Sequence, residues 1–159
     1  MATVQISNPP SVIIDASFAI AFCANEPGGY AKAKAHLVYY AKNGWQFYAP
    51  GVLVAEALFV FCKKLLAGTL TSAEHSQAVQ SFETFMGAVL APPNGDASLI
   101  ARGEQIRGSY GCGHSADGLY LALAEELTKL GPAEIVTFDA GLEKQAKQNA
   151  PSVVVKLIA

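Results

Sequence analysis

Three short apolar runs constrain this chain most: SVIID (11–15), EIVTF (134–138) and SVVVKLI (152–158). They are β-branched and bounded by Pro, Asp or Gly, which predicts buried strands. GAVLAP (87–92) is a further strand candidate. Helical stretches lie between them. AKAKAHLVYYAKN (31–43) follows Gly28-Gly29 and stops at Asn43-Gly44, and GVLVAEALFVFCKKLLAG (51–68) ends in lysines and a glycine. TSAEHSQAVQSFETFMG (71–87) opens with the capping-box spacing of Thr71 and Glu74. DASLIARGEQIRG (96–108), HSADGLYLALAEELTKLG (114–131) and AGLEKQAKQNA (140–150) complete the set. Strands separated by helices imply an α/β fold with a central parallel sheet covered on both faces. Ligands of such folds bind beyond the carboxyl ends of the strands.

A chain of 159 residues, 52% apolar and 15% charged, is expected to form one globular domain rather than a disordered segment. Residues 1–10 are expected to be a flexible N-terminal segment. No apolar run reaches the ~18 to 20 residues that cross a bilayer. The start, MATVQISNPPS, lacks the pattern of a signal peptide, so a cytoplasmic location without membrane attachment is expected. Three widely spaced cysteines, Cys23, Cys62 and Cys112, imply free thiols. A net charge of -2 excludes a large basic nucleic-acid footprint but leaves room for a small one. There is no internal repeat, low-complexity tract or charge run.

Within this frame four acids stand out, because the chain has only 13. Asp15, Glu56, Asp117 and Asp139 each lie in or beside an apolar segment, where charge is costly without compensation. Asp15 and Asp139 end strands, and each is also a candidate helix N-cap. Asp117 is also a candidate first-turn acid favoured by the helix dipole. Glu56 has Val52, Leu53, Phe59 and Val60 at i-4, i-3, i+3 and i+4, so it sits on an apolar helix face. Pairing with a buried Lys or Arg is the plain alternative there. Ser17 and Thr137 supply hydroxyls two residues from Asp15 and Asp139. Hard carboxylate oxygens without accompanying His or Cys suit Mg²⁺ or Mn²⁺ rather than zinc, and such clusters serve phosphoryl chemistry.

The pieces VIIDASFAI, APGVLVAEAL, SADGLYLALAEE and VTFDAGLEKQA resemble, in this order, the PIN-domain family, in particular the VapC-like toxins of bacterial toxin–antitoxin pairs. Residue 55 departs from it, being Ala where many relatives carry a small hydroxyl residue, and the glycine-rich GSYGCGH before Asp117 is unusual. The resemblance implies a three-layer α/β/α sandwich and a Mg²⁺- or Mn²⁺-dependent ribonuclease that cleaves single-stranded RNA. It assigns Asp15, Glu56, Asp117 and Asp139 as metal-binding catalytic acids, with Ser17 and Thr137 as supporting hydroxyls. It also implies a homodimer and inhibition by a small antitoxin; the apolar content of residues 21–40 and 51–62 points to a dimer as well.

Substrate contacts are less marked. Lys63, Lys64, Arg102 and Arg107 are candidate phosphate contacts, with solvated surface charge as the alternative for each. Tyr110 is a candidate base-stacking residue, and His114 a candidate for phosphate contact or proton transfer; loop packing and a structural histidine are the alternatives. Cys112-x-His114 is too little for a zinc site, and the loop lacks the Lys-Ser/Thr of a P-loop. Two other function classes fit the acids: a PIN-like RNA- or protein-binding scaffold with little catalysis, and an aspartyl-nucleophile phosphatase using Asp15. The second usually places another Asp two residues on, where this chain has Ser17.

Overall fold

A computed structural model describes residues 7–159 of the chain. Residues 1–6 of the expected flexible segment lie outside the described residues. Just after them the Asn8 amide donates to the Leu130 carbonyl at 2.8 Å.

The chain alternates strands and helices as β1 (Ser11–Ile14), α1 (Ala16–Cys23), α2 (Tyr30–Lys42), β2 (Gln46–Tyr48), α3 (Val52–Leu66), α4 (Ser72–Met86), β3 (Val89–Leu90), α5 (Ile100–Arg107), α6 (Ser115–Thr128), β4 (Ala133–Thr137), α7 (Ala140–Asn149) and β5 (Val154–Leu157). Short 3₁₀ turns at Asp96–Leu99 and Cys112–His114 lead into α5 and α6. The strands pair in the order β3-β2-β1-β4-β5, and every pairing is parallel. Helices cover both faces, giving a three-layer α/β/α sandwich.

Local chemistry accounts for most of these elements. β1 is buried along its whole length, with Val12, Ile13 and Ile14 fully enclosed, as a central parallel strand requires. The Thr71 hydroxyl accepts from the Glu74 N–H, and the Glu74 carboxylate accepts from the Thr71 N–H, closing the capping box at the start of α4. Lys63 and Lys64 occupy the last turn of α3, where the helix dipole favours cations. The core joins Ile13, Ile14, Ile135 and Val136 of the sheet to Leu121 and Leu123 of α6 and Phe18 of α1. All three cysteines are free; Cys23 is buried, and burial pushes its thiol up to about 12.

Three points differ from the sequence-based expectation. The strand β2 forms where none was expected, and GAVLAP contributes only two paired residues. The stretch 96–108 begins with a 3₁₀ turn rather than as one helix. The apolar face around Glu56 is only partly enclosed: Leu53 is fully buried, whereas Phe59 is 64% exposed.

Strand order reverses at β1: β2 and β3 lie to one side, β4 and β5 to the other. In open parallel sheets the crevice at such a switch point is where ligands bind. Here it lies beyond the carboxyl ends of β1 and β4, and these ends carry Asp15, Thr137 and Asp139.

Candidate active site

Asp15 leaves β1 directly into the switch-point crevice and is only 6% exposed. Three donors converge on its Oδ2: the Ser17 hydroxyl at 2.5 Å, the Thr137 hydroxyl at 2.7 Å and the Ser17 N–H at 3.3 Å. The hydroxyls are themselves oriented. Ser17 Oγ accepts from the Phe138 N–H at 3.0 Å, and Thr137 Oγ1 accepts from the Asp139 N–H at 2.9 Å. With backbone donors behind them, both hydroxyl protons are directed at Asp15. Oδ1 receives neither hydroxyl. Burial raises the Asp15 pKa, and the hydrogen bonds from Ser17 and Thr137 oppose that rise.

The other acids come from three elements. Glu56, on the second turn of α3, accepts from the Tyr120 hydroxyl at 2.8 Å. Asp117, in the first turn of α6, lies 2.9 Å from His114 Nδ1. Asp139 caps α7, its Oδ1 accepting from the Gly141 N–H at 2.7 Å. Burial raises the Glu56 pKa most, the Tyr120 hydrogen bond opposes it, and the charges of Asp15 and Asp117 add to the rise. Asp117 is raised by burial, lowered by its bond to His114, and raised again by Asp15 and Asp139. The four acids therefore share one electrostatic environment.

None of the four, among the described residues, forms an ion pair with a lysine or arginine; the only basic side chain bonded to one of them is the imidazole of His114, on Asp117. Asp15 is buried, Glu56 and Asp117 are half-buried and Asp139 is exposed; without basic counter-charge, these hard oxygen donors fit a divalent cation in chemistry. As the side chains stand, no group of three or more Asp, Glu, His or Cys among the described residues is drawn together tightly enough to hold one.

The expected substrate contacts are mostly engaged elsewhere. Lys64 bonds Glu26 at 2.8 Å, Arg102 forms a two-armed pair with Glu125, and Arg107 pairs with Glu104. Lys63 sits over the Phe59 ring, 5.5 Å from its centroid. Tyr110 bonds Gln148 and packs edge-on against His114. Beside the acids, Ser17 and Phe138 share with Lys32 and the Glu26–Gly29 loop a cavity of about 510 Å³.

Two features escaped the sequence reading. Tyr120 is one, although its position one turn after Asp117 on the same helix was a signal. The second is a backbone contact: a Cβ on Gly118 would stand 2.3 Å from the Gly103 carbonyl oxygen. Helices α5 and α6 thus touch main chain to main chain beside Asp117.

No protein-family model matches the chain, and no curated protein matches it in sequence. Solved structures do match in fold. A structure of VapBC2 from Rickettsia felis bound to a DNA fragment from the promoter aligns at 14% identity and TM-score 0.57, covering 92% of this chain and 98% of that one. FitAcB from Neisseria gonorrhoeae aligns at 21% identity and TM-score 0.53, covering 91% and 95%. PAE2754 from Pyrobaculum aerophilum aligns at 16% identity and TM-score 0.53, covering 96% and 88%. The chain has the VapC-like PIN-domain fold.

Proposed function

We propose that the protein is a Mg²⁺- or Mn²⁺-dependent endoribonuclease acting on single-stranded RNA, the toxin of a toxin–antitoxin pair. One observation supports the reading: four acids from four elements border the switch point of a PIN-like sheet, three with pKa values raised first by burial, and no described lysine or arginine forms an ion pair with them.

Asp15, Asp117, Asp139 and Glu56 would hold the ion. When bound, it supplies an activated water for attack on phosphorus and offsets charge on the departing oxygen. Ser17 and Thr137 keep the Asp15 carboxylate fixed and resist its protonation. His114 holds one oxygen of Asp117. The cavity bordered by Ser17, Phe138 and Lys32 offers an apolar wall and a cation to the strand flanking the scissile phosphate. Lys63 is the remaining cation among the four sequence candidates that forms no ion pair with a described residue.

Val54, Leu58 and Phe59 of α3 and Val38 and Tyr39 of α2 are exposed apolar residues, which supports an antitoxin or a second copy as a partner. No described helix is long and apolar enough to cross a membrane.

The test is cleavage of short single-stranded RNAs by purified protein with Mg²⁺ or Mn²⁺, with chelator, and with Asp15→Asn. Cleavage that needs the metal and fails in the variant is expected; undiminished activity in Asp15→Asn sinks the assignment. A PIN-fold binding protein with little catalysis is the second reading, favoured by the acids standing too far apart to hold an ion as they are. RNA binding without metal uptake or cleavage would select it.

A further inference from the structure

A tyrosine hydroxyl buried in a core needs a partner. Tyr120 is fully buried in α6, and its hydroxyl crosses to α3 to donate to Glu56 Oε1 at 2.8 Å. We propose that Tyr120 is a positioning residue of the cation site, fixing the Glu56 carboxylate so that it is ready to bind the divalent ion. This rests on the metal-site reading given above.

Three observations support it. Tyr120 lies one turn after Asp117 on the same helix, so one rigid element carries an acid of the site and the group that holds another. That helix is pinned at the intervening Gly118 by its backbone contact with Gly103. The donor is also enclosed: Tyr120 has no exposure, and its hydroxyl bonds no other described side chain. Glu56, by contrast, is a long, rotatable side chain at a partly buried position, and no other described side chain holds it. Fixing it before the ion arrives removes a cost of binding. The plain alternative is that Glu56 merely satisfies a buried tyrosine; then removing the hydroxyl changes stability and leaves ion affinity alone.

The test measures Mn²⁺ binding to the full chain by isothermal titration calorimetry, without RNA, alongside thermal unfolding. Tyr120→Phe is expected to bind Mn²⁺ about tenfold more weakly, as loss of an outer-shell partner does. On a Glu56→Gln background the same change is expected to have no further effect. Parental Mn²⁺ affinity in folded Tyr120→Phe overturns this inference alone, whereas failure of the parent chain to bind Mn²⁺ overturns the reading of the site. Should Tyr120→Phe not fold, Glu56→Gln carries the test: parental affinity there removes Glu56 from the site and this inference with it.

Discussion

The Thr137 hydroxyl donates to Asp15 Oδ2 at 2.7 Å, joining residues 122 positions apart at the ends of adjacent strands. The bond belongs to a short relay in which the Asp139 N–H points at Thr137 and Thr137 points at Asp15. The acid at the end of β4 is therefore tied through one hydroxyl to the acid at the end of β1. Parallel pairing of β1 with β4 is what makes the two ends meet.

Thr137→Val tests that tie. Valine keeps the shape but removes the donor to Asp15 and the acceptor of the Asp139 N–H, both in a residue with no exposure. The expected loss is about 1–3 kcal/mol of stability, measured by urea unfolding. The Asp15 pKa should also rise further, because the Thr137 bond lowers it; carboxyl NMR titration reads this directly.

Gly118→Ala tests the helix contact. The new Cβ would meet the Gly103 carbonyl oxygen at 2.3 Å, and backbone yields only by separating α5 from α6. About 1–3 kcal/mol of destabilisation is expected, with loss of activity because Asp117 moves with the helix. Gly111→Ala, where a Cβ meets nothing within 4 Å, is the matched control. A thermal midpoint for Gly118→Ala equal to the control's would refute the contact.

Much of this site was legible because strand-end acids leave a local mark. Asp15 and Asp139 read equally well as caps and as site residues, and the structure makes them caps that also border the switch-point crevice. Their double role explains why neither reading could exclude the other. The strand β2 was not legible: Gln46–Tyr48 is short and partly exposed, and its strand character comes from pairing with β1, a non-local cause. Tyr120 was hidden for the same reason, its partner lying 64 positions away. The ion pairs of the arginines were not legible, because charge in a sequence does not reveal its partner; Arg102 finds Glu125 at 23 positions' distance.

Metal and pH should act together on stability. In Asp15, Glu56 and Asp117 burial lifts the folded pKa above its ordinary value of about 4. Through that window the folded state holds more protons than the unfolded one, so their contribution to stability is greatest below it and falls as pH rises. Glu74 and Glu104, with lowered values, and His36, lowered by burial, oppose this trend; they cancel when parent and Asp15→Asn are compared. Asp15→Asn is therefore expected to gain on the parent in thermal midpoint as pH rises above the ordinary carboxyl value of about 4. Mn²⁺ at neutral pH should raise the parent's midpoint and not the variant's. A parent-to-variant difference that ignores both pH and Mn²⁺ would contradict the shared acidic site.

Lys63 gives the sharpest test of substrate grip. Its ammonium lies over Phe59 in the last turn of α3 and forms no ion pair with a described residue, whereas neighbouring Lys64 is held by Glu26. A lysine that meets an RNA phosphate releases a counterion, which lowers the salt slope of binding when it is removed. Lys63→Ala, made on the Asp15→Asn background so that the RNA survives, is expected to weaken binding severalfold at low salt. The slope of log affinity against log salt should shrink by about 0.7, the single-strand value for one contact. Lys64→Ala should instead release Glu26 and change the slope little. Fluorescence anisotropy of a labelled single-stranded RNA across a KCl series separates the two, and an unchanged slope for Lys63→Ala would remove this lysine from the RNA path.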